Sequence, residues 1–294
     1  MEFNMNETNI FLDVLIETLI DSARIFPFLF LTYLLMEYIE HRAANKTLRL
    51  IKMAGPFGPI VGAFAGLLPQ CGFSAAATSL YAGRIVSLGT LMAVYLSTSD
   101  EMLPLLISSQ ASPRTIFLIL AVKLVTGMTA GIIIDLVGRL GGKKKPELHI
   151  HEMCESEHCH CEKGIFKSAL FHSVKVIVFI FIISYIVGCL MEGVINDGIW
   201  YLAIGQSYGV IVLTSVLGLI PNCAVSVALT ELYMGGMLGD GALISGLLVG
   251  AGIGLMVLLR VNKKPLENLK IVAVLWAVGL AVGCLIKALG ITFM

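Results

Sequence analysis

Charged side chains are scarce in this chain: 14% of its 294 residues, against roughly a quarter in a soluble domain. That scarcity excludes an ordinary water-facing surface. Formal net charge is +0, so no basic excess is present to hold nucleic acid. No basic residue precedes Arg24, while Glu2 and Glu7 do, and a secretory signal needs a positive start. The first apolar segment is therefore expected to be retained. No glycine-rich loop ends in GKS or GKT, which argues against nucleotide-driven work. His151-Glu152 has no second histidine at metalloprotease spacing, and the reading is of a protein that is not an enzyme. Nor do the seven cysteines form a secreted disulfide pattern. Cys71, Cys189, Cys223 and Cys284 lie in apolar segments, and the other three crowd into one loop.

What is abundant is apolar: 57% of residues are hydrophobic and mean hydropathy is +0.90. Runs at 116–134, 176–190 and 271–286 approach or exceed the ~18 apolar residues that read as a membrane span. The expected fold is an all-α polytopic membrane protein.

One segment occurs twice. GLLPQCGFSAAATSLYAGRI, at 66–85, aligns without a gap on GLIPNCAVSVALTELYMGGM, 152 positions downstream. Shared pairs include Gly66/Gly218, Pro69/Pro221, Cys71/Cys223, Ser74/Ser226, Thr78/Thr230 and Tyr81/Tyr233. Chance aligns Leu, Ala and Gly in any two apolar segments, but seldom a proline, a cysteine, a threonine and a tyrosine in one register. A duplicated apolar segment broken by Pro and small polar residues marks secondary transporters.

Charge orients the two copies. Three basic groups belong on the cytoplasmic side by the positive-inside rule. They are Arg42 with Lys46, Arg49 and Lys52, then Arg139 through Lys167, then Arg260, Lys263, Lys264 and Lys270. The acidic stretch 192–197, the surroundings of Asp240 and the N-terminus then lie outside. The first copy is entered from the cytoplasmic loop and the second from an outer loop, so they run in opposite directions. This gives about ten helical segments in two inverted-topology five-helix repeats. The expected parts are a first membrane repeat (1–138), a cytoplasmic His/Cys-rich linker (139–167) and a second membrane repeat (168–294).

Each copy reads as a hairpin. The arm at 56–68 is about 20 Å long at 1.5 Å per residue, short of the ~30 Å hydrocarbon core. Pro69-Gln70-Cys71-Gly72 then breaks the helix. A re-entrant hairpin and two short tilted spans both fit. A second break follows in each half: Ser97-Thr98-Ser99-Asp100-Glu101 in the first, Val249-Gly250-Ala251-Gly252-Ile253 in the second. Irregular backbone at membrane depth survives only where protein buries it or it lines a cavity.

Candidate substrate ligands follow from these breaks. A carboxylate within the bilayer costs at least ~2.5 kcal/mol, so Asp100 and Glu101 are expected to bind substrate or a coupling ion; helix capping by Ser99 or Asp100 is the bland alternative. The hairpin tips offer Gln70, Cys71, Asn222 and Cys223, amide oxygens for hard cations and sulfur for softer metals or metalloids. Ser74, Ser226, Ser97, Thr98 and Ser99 complete the set, although membrane hydroxyls usually bond backbone. The second arms of the hairpins aim helix N-termini at the centre, which suits an anion, and the first arms aim carbonyls, which suit a cation. Lys123 could snorkel outward, pair with Asp100 or Glu101, or bind an anion. Glu231, where the first copy has Ser79, is a secondary proton-coupling candidate. Asp135 is expected to pair with Arg139 one turn on. Arg84, Tyr81 and Tyr233 fit interfacial anchors as well as any functional role.

The linker adds HIHEMCESEHCHC. His149, His151, Cys154, His158, Cys159, His160 and Cys161 make a plausible contact for a soft or borderline metal, in sensing or delivery; a solvated linker is the alternative. No cofactor is otherwise required.

LLPQCGFSAAATSLYAGRI, LSTSDEMLPLLIS, the His/Cys loop and GLIPNCAVSVALTELY resemble a family of ten-span heavy-metal exporters, whose members carry the labels arsenic efflux protein and manganese transporter. The resemblance implies efflux across a bacterial-type cytoplasmic membrane, and direction comes from it alone. The expected function is secondary-active efflux of a metal or metalloid ion by alternating access between the hairpins. Export of a small organic or oxyanionic substrate, with Asp100 as proton site, is the alternative; a passive channel ranks below both. Expected partners are the lipid bilayer and the transported ion, and the sequence leaves room for a homo-oligomer.

Overall fold

A computed structural model describes residues 57–68, 72–99, 102–140, 207–262 and 264–293, with single positions between 12 and 34 and between 166 and 189. Every regular element among the described residues is a helix. The first half contains α1 (Gly58–Gly66), α2 (Gly72–Ala82), α3 (Leu88–Ser97), α4 (Met102–Ser108) and α5 (Pro113–Leu140). The second contains α6 (Tyr208–Leu217), α7 (Cys223–Met234), α8 (Asp240–Val249), α9 (Ile253–Val261) and α10 (Pro265–Ala288). Helical positions at 12–34 and 166–189 precede each group.

Local chemistry sets these boundaries. Prolines at the first turns of α1 and α10 supply a preset φ where no amide partner is needed. Ser87 caps α3 by accepting from Thr90 N at 3.1 Å, and Ser207 caps α6 by accepting from Val210 N at 3.3 Å. The 28 residues of α5 rise ~42 Å and the 24 of α10 ~36 Å, enough to cross a hydrocarbon core. Their outer faces carry Phe117, Val137, Leu266 and Leu269, all strongly exposed and apolar, as lipid requires. This is a multi-pass membrane protein.

The 152-residue register recurs in the packing. In the first half α3 lies along α1 and α5; in the second α8 lies along α6 and α10. A Cβ on Gly131 would stand 2.6 Å from the Gly89 carbonyl, and one on Gly283 2.6 Å from the Gly241 carbonyl. These pairs are equivalent in the repeat. So are two further contacts: Gly62 abuts the Thr90 carbonyl, and Thr214 Oγ1 donates to the Ala242 carbonyl at 2.9 Å. The halves interlock through their second and fourth helices, α2 on α9 and α7 on α4.

Three end contacts fix how the long helices stand. Asp135, near the end of α5, accepts from Gly89 N at 2.8 Å and Ser87 Oγ at 2.6 Å, at the start of α3. Both its oxygens thus serve α3, a long-range role that the i+4 pairing with Arg139 did not anticipate. Thr115, at the start of α5, donates to the Phe293 carbonyl beyond α10 at 2.6 Å. Phe293 N in turn donates to Asp240 Oδ1, at the start of α8, at 3.0 Å.

One further pair separates the halves. Arg84, two residues beyond α2, has φ 59°, and its repeat equivalent Gly236, two residues beyond α7, has φ 70°. Glycine adopts this left-handed geometry freely, while an L side chain there costs ~1–2 kcal/mol.

Candidate functional site

Both predicted breaks are present. In the first half α3 ends at Ser97 and α4 begins at Met102; in the second α8 ends at Val249 and α9 begins at Ile253. The second break turns on Gly252, at φ 53°. Within the span Asp240–Val261, 89% of the most apolar stretch is buried in the protein, against 28% for α5 and for α10. Interrupted backbone here is sheltered by protein rather than lipid, the condition under which it is tolerated.

At the first break the hydroxyls are occupied. Ser97 Oγ donates to the Ala93 carbonyl (2.8 Å), Thr98 Oγ1 to the Val94 carbonyl (2.7 Å) and Ser99 Oγ to the Leu67 carbonyl (2.6 Å). Ser97 and Thr98 bond back onto carbonyls of the last turn of α3, the Val94 carbonyl also accepting from Thr98 N at 3.0 Å, while Ser99 supplies a donor to the Leu67 carbonyl just beyond α1. Each hydroxyl has spent its proton, so only oxygen lone pairs remain to offer a ligand. Such a surface favours a cation or a hydrogen-bond donor.

The second break receives a charge from the other half. Lys123 is 1% exposed, and its Nζ donates to the Leu247 carbonyl at 2.8 Å. The amide one turn beyond Leu247, that of Ala251, bonds Val249 instead. The ammonium therefore caps a carbonyl left by the end of α8. Burial rules out the snorkelling alternative.

A hydroxyl bridge ties the same region together. Tyr95 Oη donates to the Gly254 carbonyl at 3.0 Å, and Thr78 Oγ1 lies 2.6 Å from Tyr95 Oη and 3.2 Å from that carbonyl. It joins α3 and α2 to the first turn of α9. A Cβ on Gly254 would come within 3.0 Å of Ser74 Cβ, so α2 and α9 touch. Tyr95→Phe keeps the ring and removes one buried donor. It should cost about 1 kcal/mol, read as a lowered melting temperature in detergent.

The C-terminal ends of α2 and α7 carry polar clusters. Arg84 donates to both carboxylate oxygens of Glu267, on the first turn of α10, at 2.8 and 3.0 Å, and Tyr81 Oη donates to the same carboxylate. Those hydrogen bonds hold the Arg84 guanidinium above its ordinary pKa. In the second half Tyr233 Oη donates to Asp240 Oδ1 at 2.8 Å.

The predicted residues distribute as follows. Ser97, Thr98, Ser99 and Lys123 are buried at the two breaks, and Ser74 is buried against α9. Asn222 and Ser226 are half-buried at the second tip, where Asn222 N donates to the Ile220 carbonyl at 2.8 Å. Glu231 is exposed on α7, apart from them. Gln70, Cys71, Asp100, Glu101 and the linker residues His149, His151, Cys154, His158, Cys159, His160 and Cys161 lie outside the described residues, as does the Cys223 side chain. Among the described residues no three His, Cys, Asp or Glu side chains converge as a metal site. Sequence reasoning missed Tyr95, Glu267 and the bonds that Asp240 accepts from Tyr233 and Phe293; a lone tyrosine in the apolar run of α3 was the available signal for the first.

No curated protein and no solved structure matches the chain. One family model does, over residues 10–203, more than half of the length. That stretch contains the first copy of the duplicated segment, the first break and the His/Cys-rich stretch, and it stops short of the second copy. The chain belongs to this family, described as "Putative, 10TM heavy-metal exporter".

Proposed function

We propose that the protein is a secondary-active exporter that moves a metal or metalloid ion across the cytoplasmic membrane by alternating access between two inverted repeats. Support for the inversion comes from which helix ends meet. The end of α5 lies with the start of α3, while the start of α5, the far end of α10 and the start of α8 lie together. Equivalent helices α3 and α8 then begin on opposite sides of the membrane. Basic residues after α5 and before α10 put those ends in the cytoplasm, the N-terminus and Asp240 outside.

The observation that carries the reading is the sheltered pair of breaks, one lined by acceptor-only hydroxyls, the other capped by Lys123. Asp100 and Glu101 continue the first break and are assigned the cation, or the protons exchanged for it. Cys71 and Cys223 are assigned as soft ligands at the tips, with Gln70 and Asn222 beside them, and the linker's histidines and cysteines as a cytoplasmic collecting site. Lys123 supplies a fixed positive charge that a bound cation must accommodate. That same charge is what favours the second reading, an anionic substrate held by Lys123 with Asp100 as proton site.

Uptake into everted membrane vesicles separates the two. With Mn²⁺, Zn²⁺, Cd²⁺ and arsenite offered in turn, saturable accumulation of one species is expected, reduced about tenfold or more in Asp100→Asn. Its loss in a Cys71→Ser/Cys223→Ser double variant assigns a soft-ligand site; its survival assigns an oxygen site. No accumulation in vesicles shown to hold the protein and a gradient sinks the metal reading, and uptake of an organic acid there installs the anionic one.

A further inference from the structure

The base of each hairpin is tied to the long helix of the other half, and the two ties are chemically unequal. At one, Tyr81 and Arg84 of the first half grip Glu267, on the first turn of α10, by three direct bonds. At the other, Tyr233 of the second half donates to Asp240, which also accepts from Phe293 N, while the Phe293 carbonyl accepts from Thr115 at the start of α5. In the repeat register Tyr81 matches Tyr233 and Glu267 matches Thr115. The same joint is thus built twice. One version is an ion pair, the other a carboxylate with no cationic partner in the joint, relayed through the main chain of residue 293.

The backbone says which residue was kept for its side chain. Arg84 and Gly236 are equivalent and share a left-handed turn that glycine adopts freely. The turn alone favours glycine in both halves. An arginine held there against its own preference marks a functional constraint, and its bidentate grip on Glu267 identifies that constraint.

We propose that Tyr81, Arg84 and Glu267 form the latch that closes the cytoplasmic side of the carrier, and that Tyr233, Asp240, Phe293 and Thr115 form the latch on the outer side. The assignment rests on the alternating-access reading, in which one side opens only while the other is closed. Both latches are made here, the arrangement of a carrier closed to both sides. Opening toward the cytoplasm separates α2 from α10, and Arg84 and Glu267 are the charges exposed when it does.

Hydrogen–deuterium exchange of the full chain in detergent, without substrate, tests this through Arg84→Gly, which copies the second half's own residue and relieves the turn. Its melting temperature should stay at or above wild type. Amides at 83–87 and 265–268 should exchange about tenfold faster or more, while those at 235–242 and 289–293 become slower than in wild type. Asp240→Ala, which removes the acceptor, should give the reverse pattern. Faster exchange at both bases, or a change confined to the base that was altered, overturns the proposal. Because no metal is added, the result stands apart from the vesicle experiment: an exporter without these latches passes that one and fails this one.

Discussion

Gly283→Val should prevent α8 and α10 from seating, and Gly131→Val should do the same to α3 and α5. At Gly283 even a Cβ would meet the Gly241 carbonyl at 2.6 Å and Ser245 Cβ at 2.6 Å; at Gly131 it would meet the Gly89 carbonyl at 2.6 Å and Ala93 Cβ at 2.9 Å. The nearest obstacle in each case is backbone, which cannot rotate aside as a side chain can. In a bilayer, helices gain no hydrophobic drive from association, so close approach through small residues is what holds them. Pushing the axes apart forfeits that packing along the whole contact. Overpacking costs typically ~1–3 kcal/mol, and with backbone as the obstacle each variant should lose about 3 kcal/mol or more. Thermal unfolding in detergent and yield from the membrane fraction give the readout. Gly138→Val is the control, since nothing lies within 4 Å of a Cβ there, and it should change little. A Gly283→Val protein as stable as wild type would show that the contact is not the one described.

Lys123→Glu should be the most damaging single change at the centre. The ammonium meets the Leu247 carbonyl at 2.8 Å in a site that is 1% exposed. A carboxylate there would face a carbonyl with no proton to share, and it would carry the cost of an intramembrane charge, at least ~2.5 kcal/mol, on top of the acceptor left unsatisfied. A total near 4 kcal/mol or above is expected, seen as loss of the monodisperse folded protein. Lys123→Met preserves length and removes the charge, so it should cost less, about 1–3 kcal/mol for the carbonyl left unsatisfied. The order wild type, Met, Glu in melting temperature checks the assignment. Equal stability of the Met and Glu variants would mean that the ammonium is not what the end of α8 needs.

How much of this could be read from the chain follows from the range of each interaction. The breaks at Ser97–Glu101 and Val249–Ile253 were legible because polar and glycine-rich runs act on their own backbone. The repeat was legible because Pro69, Cys71, Thr78 and Tyr81 return in register, and the structure carries that register into glycine contacts, Gly89 with Gly131 and Gly241 with Gly283, that no motif had marked. Partners far apart in sequence were not legible. Tyr81 reaches Glu267 across 186 positions and Tyr95 reaches Gly254 across 159, and nothing local to either residue announces the other. Asp135 illustrates the same limit: its bonds from Ser87 and Gly89 exist only because α3 packs on α5, and nothing local to Asp135 announces them.

The buried span from Asp240 to Val261 has a consequence for how the protein is made. Its hydropathy of 2.4 equals that of α10, yet its most apolar stretch ends 89% enclosed by protein. A segment destined for such a place needs no lipid-compatible surface in the finished molecule. It needs one earlier, when each span leaves the translocon alone and must partition into the bilayer before its neighbours arrive. The apolar character of Leu243, Ile244, Leu247 and Leu248 is then a requirement of biogenesis as much as of packing. Selection on this stretch acts twice: once on a solitary helix entering lipid, and once on a broken helix that has left lipid behind.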